Sequence, residues 1–364
     1  MIVKDEEKDI ERCLKSVHKY IDYWVIIDTG SKDKTIKKIK SLMKNRFKVP
    51  GELHERPWVD FSHNRNEALE IAETKGDYVM FMDADDIFKP EKGFNLDFLN
   101  HDFFMFFCPF KMKNLDFERC IIIKSNESYR YTGVLHEFIA AQDNKPSVMI
   151  PNCHMEANAS PLKRFPTKKE KYLNDAKILE NSLRENPDSY RDQFYLAQCF
   201  FDAGDIERSE IEYQKRVDMG TCGAEDEVYL ALYRIAGCKV KLNKPKDDVL
   251  KYLSLAWELI PYRMEAPSLL MSALLRDGRF FMAFTYGEMT LKAQKLFGSH
   301  NNLFKIPSTE TDLFPKYYGI AAENCGFYEI ASASYKVLME NNPPTIKRKE
   351  LEEKIKELEA KCSA

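Results

Sequence analysis

The sequence predicts an α/β half, built on a mostly parallel sheet with helices on both faces, followed by an all-α half. Three observations carry this. Short β-prone runs alternate with amphipathic helical patterns as far as Ser160-Pro161, the order that builds a parallel sheet with crossover helices. Beyond that point the β signal disappears and helical periodicity continues along the chain. Tyr195-Leu196-Ala197 and Tyr229-Leu230-Ala231 then recur 34 residues apart, a period belonging to stacked helix pairs. A length of 364 residues accommodates two domains, each with its own core. The boundaries expected are 1–160 and 161–364.

Composition narrows the function classes. Hydrophobic residues at 44% and charged residues at 31% are ordinary for a soluble globular protein. A net charge of -3, with no basic stripe interleaved with aromatics, gives no case for nucleic acid as a partner. The acidic start, Met1-Ile2-Val3-Lys4-Asp5-Glu6-Glu7, argues against a signal peptide, and Phe103 to Phe110 is too short an apolar run for a membrane span. The nine cysteines are scattered without a C-x-x-C pair, which favours a reducing compartment and packing roles. A cytoplasmic location is expected.

The α/β half is read in order. Met1 to Val3 is a stub of strand. Ile10, Cys13, Leu14, Val17 and Ile21 follow at helical spacing. Tyr23 to Ile27 is a continuous β-prone run, a strand buried on both faces. It ends in Asp28-Thr29-Gly30-Ser31-Lys32-Asp33-Lys34-Thr35, where Ser31 or Asp33 is expected to cap the next helix. Asp28 lies at a strand's carboxyl end, where open α/β sheets bind ligands. A strand over Phe47 to Arg56 precedes a helix that begins near Phe61 and closes at Gly76.

Gly76 to Asp86 concentrates the chemistry. Tyr78 to Met82 reads as a short buried strand, and it ends in Asp83, Asp85 and Asp86. Strand alternation puts Asp83 and Asp85 on one face and turns Asp86 away. Two carboxylates so placed point to an oxygen-coordinated divalent cation, the alternative being a solvated acidic turn. Further on, Phe103–Phe110 and Arg119–Ile123 are strand-like, with Asn114-Leu115-Asp116 as a hairpin turn between them.

Five stretches occur together and in order: Ile2-Val3-Lys4-Asp5-Glu6, Cys13-Leu14-Lys15-Ser16-Val17, Asp28-Thr29-Gly30-Ser31-x-Asp33-x-Thr35, Phe61-Ser62-x-x-Arg65-Asn66, and Gly76-Asp77-Tyr78-x-x-Phe81-x-Asp83-Ala84-Asp85-Asp86. They resemble glycosyltransferase family 2, inverting enzymes of the Rossmann-like GT-A fold, in a subgroup with tetratricopeptide-like helices behind the catalytic domain. The resemblance implies a soluble, metal-dependent transferase that moves a single sugar from a nucleotide-diphosphate-sugar, UDP-sugar favoured, to a sugar, protein or peptide acceptor. It implies a donor site formed by Val3, Lys4, Glu6, Asp28, Thr29, Arg65, Asp83 and Ala84. A Mn²⁺ or Mg²⁺ ion would be held by Asp85 with Asp83 and His154. In Gly133-Val134-Leu135-His136-Glu137, Glu137 would be the catalytic base and His136 its orienting neighbour. The chain lacks the Q-x-x-R-W motif of processive membrane synthases.

In the second half, Lys168 to Leu183 is a charged amphipathic helix. Ala197, Gly204 and Tyr213 fit the first repeat, and Gly278 and Gly326 mark degenerate later copies, with Asn243-Lys244-Pro245 as an inserted loop. Ile346, Leu351, Ile355 and Leu358 form a thin seam on a capping helix. This half is expected to bind the acceptor, to form a homodimer, or to support the catalytic domain. Two other readings stay open: a sugar nucleotidyltransferase, and a tetratricopeptide scaffold whose transferase domain is inactive.

Overall fold

The computed structural model describes residues 1–100, 102–112, 115–140, 145–157, 166–222, 224–297, 309–341 and 348–362. The chain divides into two compact units, Met1–Pro166 and Thr167–Ala364. The Ser160-Pro161 boundary, the hairpin residue Asn114 and the seam residue Ile346 lie outside the described residues.

The first unit is an α/β unit. It runs β1 (Ile2–Val3), α1 (Ile10–Val17), β2 (Trp24–Asp28), α2 (Thr35–Lys40), β3 (Gly51–Glu55), α3 (Phe61–Glu73), β4 (Tyr78–Met80), β5 (Asp86–Pro90), β6 (Met105–Met112), β7 (Leu115–Lys124), β8 (Arg130–Thr132), β9 (Phe138–Ala140), β10 (Ser147–Met149) and β11 (Cys153–Ala157). β1, β2 and β3 form a parallel sheet in that order. Ile26 and Ile27, almost fully buried, hold its centre as a strand covered on both faces requires. The second sheet is mixed, in the order β4-β7-β6-β11-β5 with β10 on β6.

Two sequence expectations change here. The strand at Tyr78 stops at Met80, and it pairs with β7 rather than with β1 or β2. Asp28 and the Asp83–Asp86 acids therefore come from two sheets, not one edge. Beyond Phe81 the backbone turns, and Asp86 N–H donates to the Asp83 carbonyl at 3.1 Å. Strand alternation does not extend into that turn, so it cannot assign faces to Asp83, Asp85 and Asp86. Ala84, in the middle of the turn, is buried in the same apolar cluster as Val3, Leu14 and Trp24. This anchors the acids beside the carboxyl end of β1. A pocket of about 460 Å³, partly open to solvent, lies in the unit, lined by Ile2, Val25, Ile26, Tyr78, Met80 and Ala68 among others.

The second unit is a helical repeat. A leading helix, α4 (Lys168–Glu185), precedes the antiparallel pairs α5 (Tyr190–Ala203) and α6 (Ile206–Asp218), α7 (Glu225–Lys241) and α8 (Lys246–Leu259), α9 (Glu265–Arg276) and α10 (Phe280–Phe297), and α11 (Phe314–Asn324) and α12 (Tyr328–Glu340). α13 (Arg348–Cys362) closes the stack with Leu351, Ile355 and Leu358 buried. The repeat is visible in the backbone. Gly204, Gly278 and Gly326 take left-handed φ of 83°, 69° and 81° just after α5, α9 and α11. After α7 the same place is taken by Asn243, φ 52°, the residue type that best tolerates this conformation after glycine. Buried ion pairs tie neighbouring elements: Arg216 to Glu227 at 3.3 Å, and Arg263 to Glu265 at 2.7 Å and to Asp226 at 2.9 Å.

Candidate active site

The β1–α1 loop, which carries Lys4 and Glu6, is stitched to the β2–α2 turn. Backbone N–H groups of Asp5, Glu6 and Glu7 donate to Ser31 Oγ (2.9 Å), Thr35 Oγ1 (2.8 Å) and Asp33 Oδ2 (3.0 Å). Ser31 is thus spent on the neighbouring loop rather than on the helix. Asp33 Oδ1 accepts from Thr35 N at 2.9 Å, as an Asx-type turn before α2. Thr29 gives both its N–H and its hydroxyl to the Val3 carbonyl, at 2.9 and 3.1 Å, and so locks β2 to β1.

Asp28 is 1% exposed. Its Oδ1 accepts from Gly30 N at 2.9 Å and Ser31 N at 2.8 Å. Its Oδ2 is buried with no hydrogen-bond partner among the described residues. A buried carboxylate oxygen without a donor is costly, by about 1–3 kcal/mol or more, and native proteins rarely leave one so. At the carboxyl end of a parallel strand, the vacant lone pairs invite a ligand donor.

α3 brings the next part. Asp60 caps it by accepting from His63 N at 2.7 Å. Ser62 Oγ donates to the Gly133 carbonyl, while Asn66 exchanges two hydrogen bonds with the Tyr131 backbone at 3.0 and 2.8 Å. These contacts explain why Ser62 and Asn66 accompany Arg65: they fix the 131–137 segment against the helix. Arg65 then reaches two acids, donating from Nη2 to Asp83 Oδ1 at 2.6 Å and from Nε to Glu137 Oε1 at 2.7 Å. Its guanidinium also lies 5.4 Å from the centre of the Tyr131 ring.

Asp83 is gripped from its other side by Arg119, Nη1 to Oδ2 at 3.0 Å, and Arg119 Nη2 reaches Asp86 Oδ2 at 2.8 Å. Burial raises the Asp83 carboxyl, but the two guanidiniums outweigh it and hold the group well below the usual carboxylate range. Burial pushes Asp86 up to about 6, with Arg119 opposing and the charges of Asp83 and Asp85 adding to the rise. Arg119 is a part of the site that local sequence pattern does not mark, and Asp86 joins the acids through it instead of turning away. The signal lies in the pairing: β4 and β7 are antiparallel with Met80 opposite Ile122, and continuing that register three residues sets Arg119 opposite Asp83.

Asp85 is joined to the site through its carbonyl, which accepts from Arg12 Nη2 at 3.4 Å. Its carboxylate makes no hydrogen bond or ion pair among the described residues. His154 is not brought to the acids. It lies opposite Lys89, three pairs along β11 from the Ala157–Asp86 pair, and its Nδ1 is 2.9 Å from Glu91 Oε1. His136 is exposed, at a left-handed φ of 52°. Among the described residues no group of three His, Cys, Asp or Glu side chains is placed to hold a metal ion. Both oxygens of Asp83 face guanidiniums, and Asp85 is the acid of this turn whose carboxylate has no such partner among the described residues.

Residues 1–94, part of the first unit, match the family model described as Glycosyl transferase family 2. A TPR repeat-containing protein, Synpcc7942_0270 of Synechococcus elongatus, is 38% identical over 87 residues, 24% of this chain and 19% of that protein. The chain thus spans about a fifth of the length of that curated relative. Among solved structures, MamA is 17% identical over 48% of this chain and 90% of its own, with a TM-score of 0.35. YrrB, titled a TPR protein with an unusual peptide-binding site, is 17% identical over 51% and 91%, with a TM-score of 0.37. Among the described residues, no helix is long and apolar enough to cross a membrane.

Proposed function

Proceeding from the match of residues 1–94 to glycosyl transferase family 2, we propose that this protein is an inverting, metal-dependent glycosyltransferase that moves one sugar from a nucleotide-diphosphate-sugar, UDP-sugar favoured, to an acceptor hydroxyl. The observation that carries the reading is Asp28 Oδ2, a buried acceptor without a donor at the carboxyl end of β2. A nucleoside supplies donors of the kind it needs, on a base or a ribose.

In this mechanism Asp28 fixes the nucleoside, with Val3, Lys4, Glu6 and Thr29 shaping the floor around it. Asp85 and Asp83 face the diphosphate. Asp85 with Asp83 would hold a Mn²⁺ or Mg²⁺ ion, which would supply Lewis-acid stabilisation of the charge that develops on the leaving nucleoside diphosphate. Glu137 takes the acceptor's proton as the acceptor oxygen attacks the anomeric carbon, and the bond from that carbon to the diphosphate oxygen breaks with its electron pair. Arg65 holds Glu137 through Oε1, so Oε2 is the oxygen that accepts the proton.

The test is a panel of UDP- and GDP-sugars with Mn²⁺, read as donor hydrolysis and as calorimetric binding. Asp85→Ala is expected to abolish hydrolysis. Glu137→Gln is expected to keep donor binding and lose turnover. Binding of none of these nucleotides would instead favour the scaffold reading, with an inactive transferase domain.

A further inference from the structure

We infer that Arg119 is a relay cation, which holds Asp83 and Asp86 while the crevice is empty and passes to the donor's diphosphate when a divalent cation takes up the acids. The inference rests on the reading above and adds a residue to it.

Asp83 has more positive charge than one carboxylate needs. Arg65 already satisfies Oδ1 at 2.6 Å, and Arg119 duplicates the role on Oδ2 at 3.0 Å. The two arginines are not equally free to leave. Arg65 is 12% exposed, shared with Glu137 and pinned on α3, whereas the Arg119 side chain is 37% exposed. Charge balance supports exchange. Asp83, Asp85, Asp86 and Glu137 supply four carboxylates against two guanidiniums, Arg65 and Arg119, an excess of two negative charges. One divalent cation balances that excess, Arg12 being paired with Asp9, and the incoming diphosphate then brings negative charge of its own, which Arg119, displaced from the acids that the cation holds, is placed to meet. The side chain also has a surface to move across, because its guanidinium lies 4.3 Å from the centre of the Phe110 ring, a contact that tolerates a change of hydrogen-bond partner.

The relay predicts strong mutual reinforcement between metal and nucleotide, since each supplies what the other displaces. Mn²⁺ binding to the full chain is measured by electron paramagnetic resonance with and without UDP, in the native protein, Arg119→Met and Arg119→Lys. In Arg119→Met, Mn²⁺ alone is expected to bind about tenfold tighter or more, since a charge-assisted competitor has left the acids. The factor by which UDP tightens Mn²⁺ is expected to fall by a similar amount. Arg119→Lys keeps the charge without the two-armed grip and is expected to tighten Mn²⁺ severalfold while retaining part of the coupling; it carries the test if Arg119→Met does not fold. Unchanged Mn²⁺ affinity in the variants overturns the relay. Tighter Mn²⁺ with undiminished coupling also overturns it, assigning Arg119 to holding the acids alone. A native protein that binds no UDP overturns the transferase reading as well, which separates the two failures.

Discussion

Replacing Arg65 with methionine removes a guanidinium that serves two partly buried acids through hydrogen bonds of 2.6 and 2.7 Å. Methionine fills similar volume, so the loss is electrostatic. Breaking a buried pair by deleting one partner leaves an uncompensated charge and costs about 3–5 kcal/mol. Here Arg119 still serves Asp83, so the exposed deficit falls mainly on Glu137 and the lower end, about 3 kcal/mol, is expected. In a unit of this size each kcal/mol moves the midpoint by about 2–4 °C, giving a fall of about 6–12 °C by thermal denaturation. Asp83→Asn on top of Arg65→Met should add little, whereas Glu137→Gln on top of it should recover part of the loss by removing the unpaired charge. A loss below about 1 kcal/mol, or no recovery with Glu137→Gln, would refute the claim that Arg65 is the charge partner organising this crevice.

Two further outcomes concern packing. Gly287→Ala in α10 should destabilise the second unit by about 1–2 kcal/mol, because a Cβ there meets Tyr318 Cδ2 at 2.2 Å, and overpacking outweighs the roughly 1 kcal/mol that alanine adds to a helix. A rise in its urea midpoint would contradict that packing. Ala68→Leu, directed into the pocket of about 460 Å³, should raise stability by about 0.5–2 kcal/mol, and a fall in the denaturation midpoint would show that the space is not available to a side chain on α3.

The elements with strong local signals were legible. Tyr23 to Ile27 reads as a strand because every residue is β-prone, and β2 occupies Trp24–Asp28. Ile10, Cys13, Leu14 and Val17 show the apolar face of α1, and all four are buried. Asp28, Arg65, Asp83 and Glu137 were legible as candidates, and the structure brings Arg65, Asp83 and Glu137 into one network. What was not legible depends on register between distant segments. Arg119 meets Asp83 only because β7 runs antiparallel to β4, a pairing that crosses the hairpin with β6. The split into two sheets was hidden for the same reason, since local pattern marks a strand and not its neighbour. His154 failed to join the acids because β11 pairs with β5 in a register that carries it toward Glu91.

The pocket between β2 and β4 has a mechanical consequence. Pressure acts on volume, and a state that eliminates internal voids is favoured as pressure rises. A pocket of about 460 Å³, partly open to solvent, places loosely filled space in the α/β unit, beside the strand that leads to the acidic turn. Compression should therefore act on the first unit where that space borders Tyr78 to Met82, the segment that leads to the Asp83–Arg119 pairing.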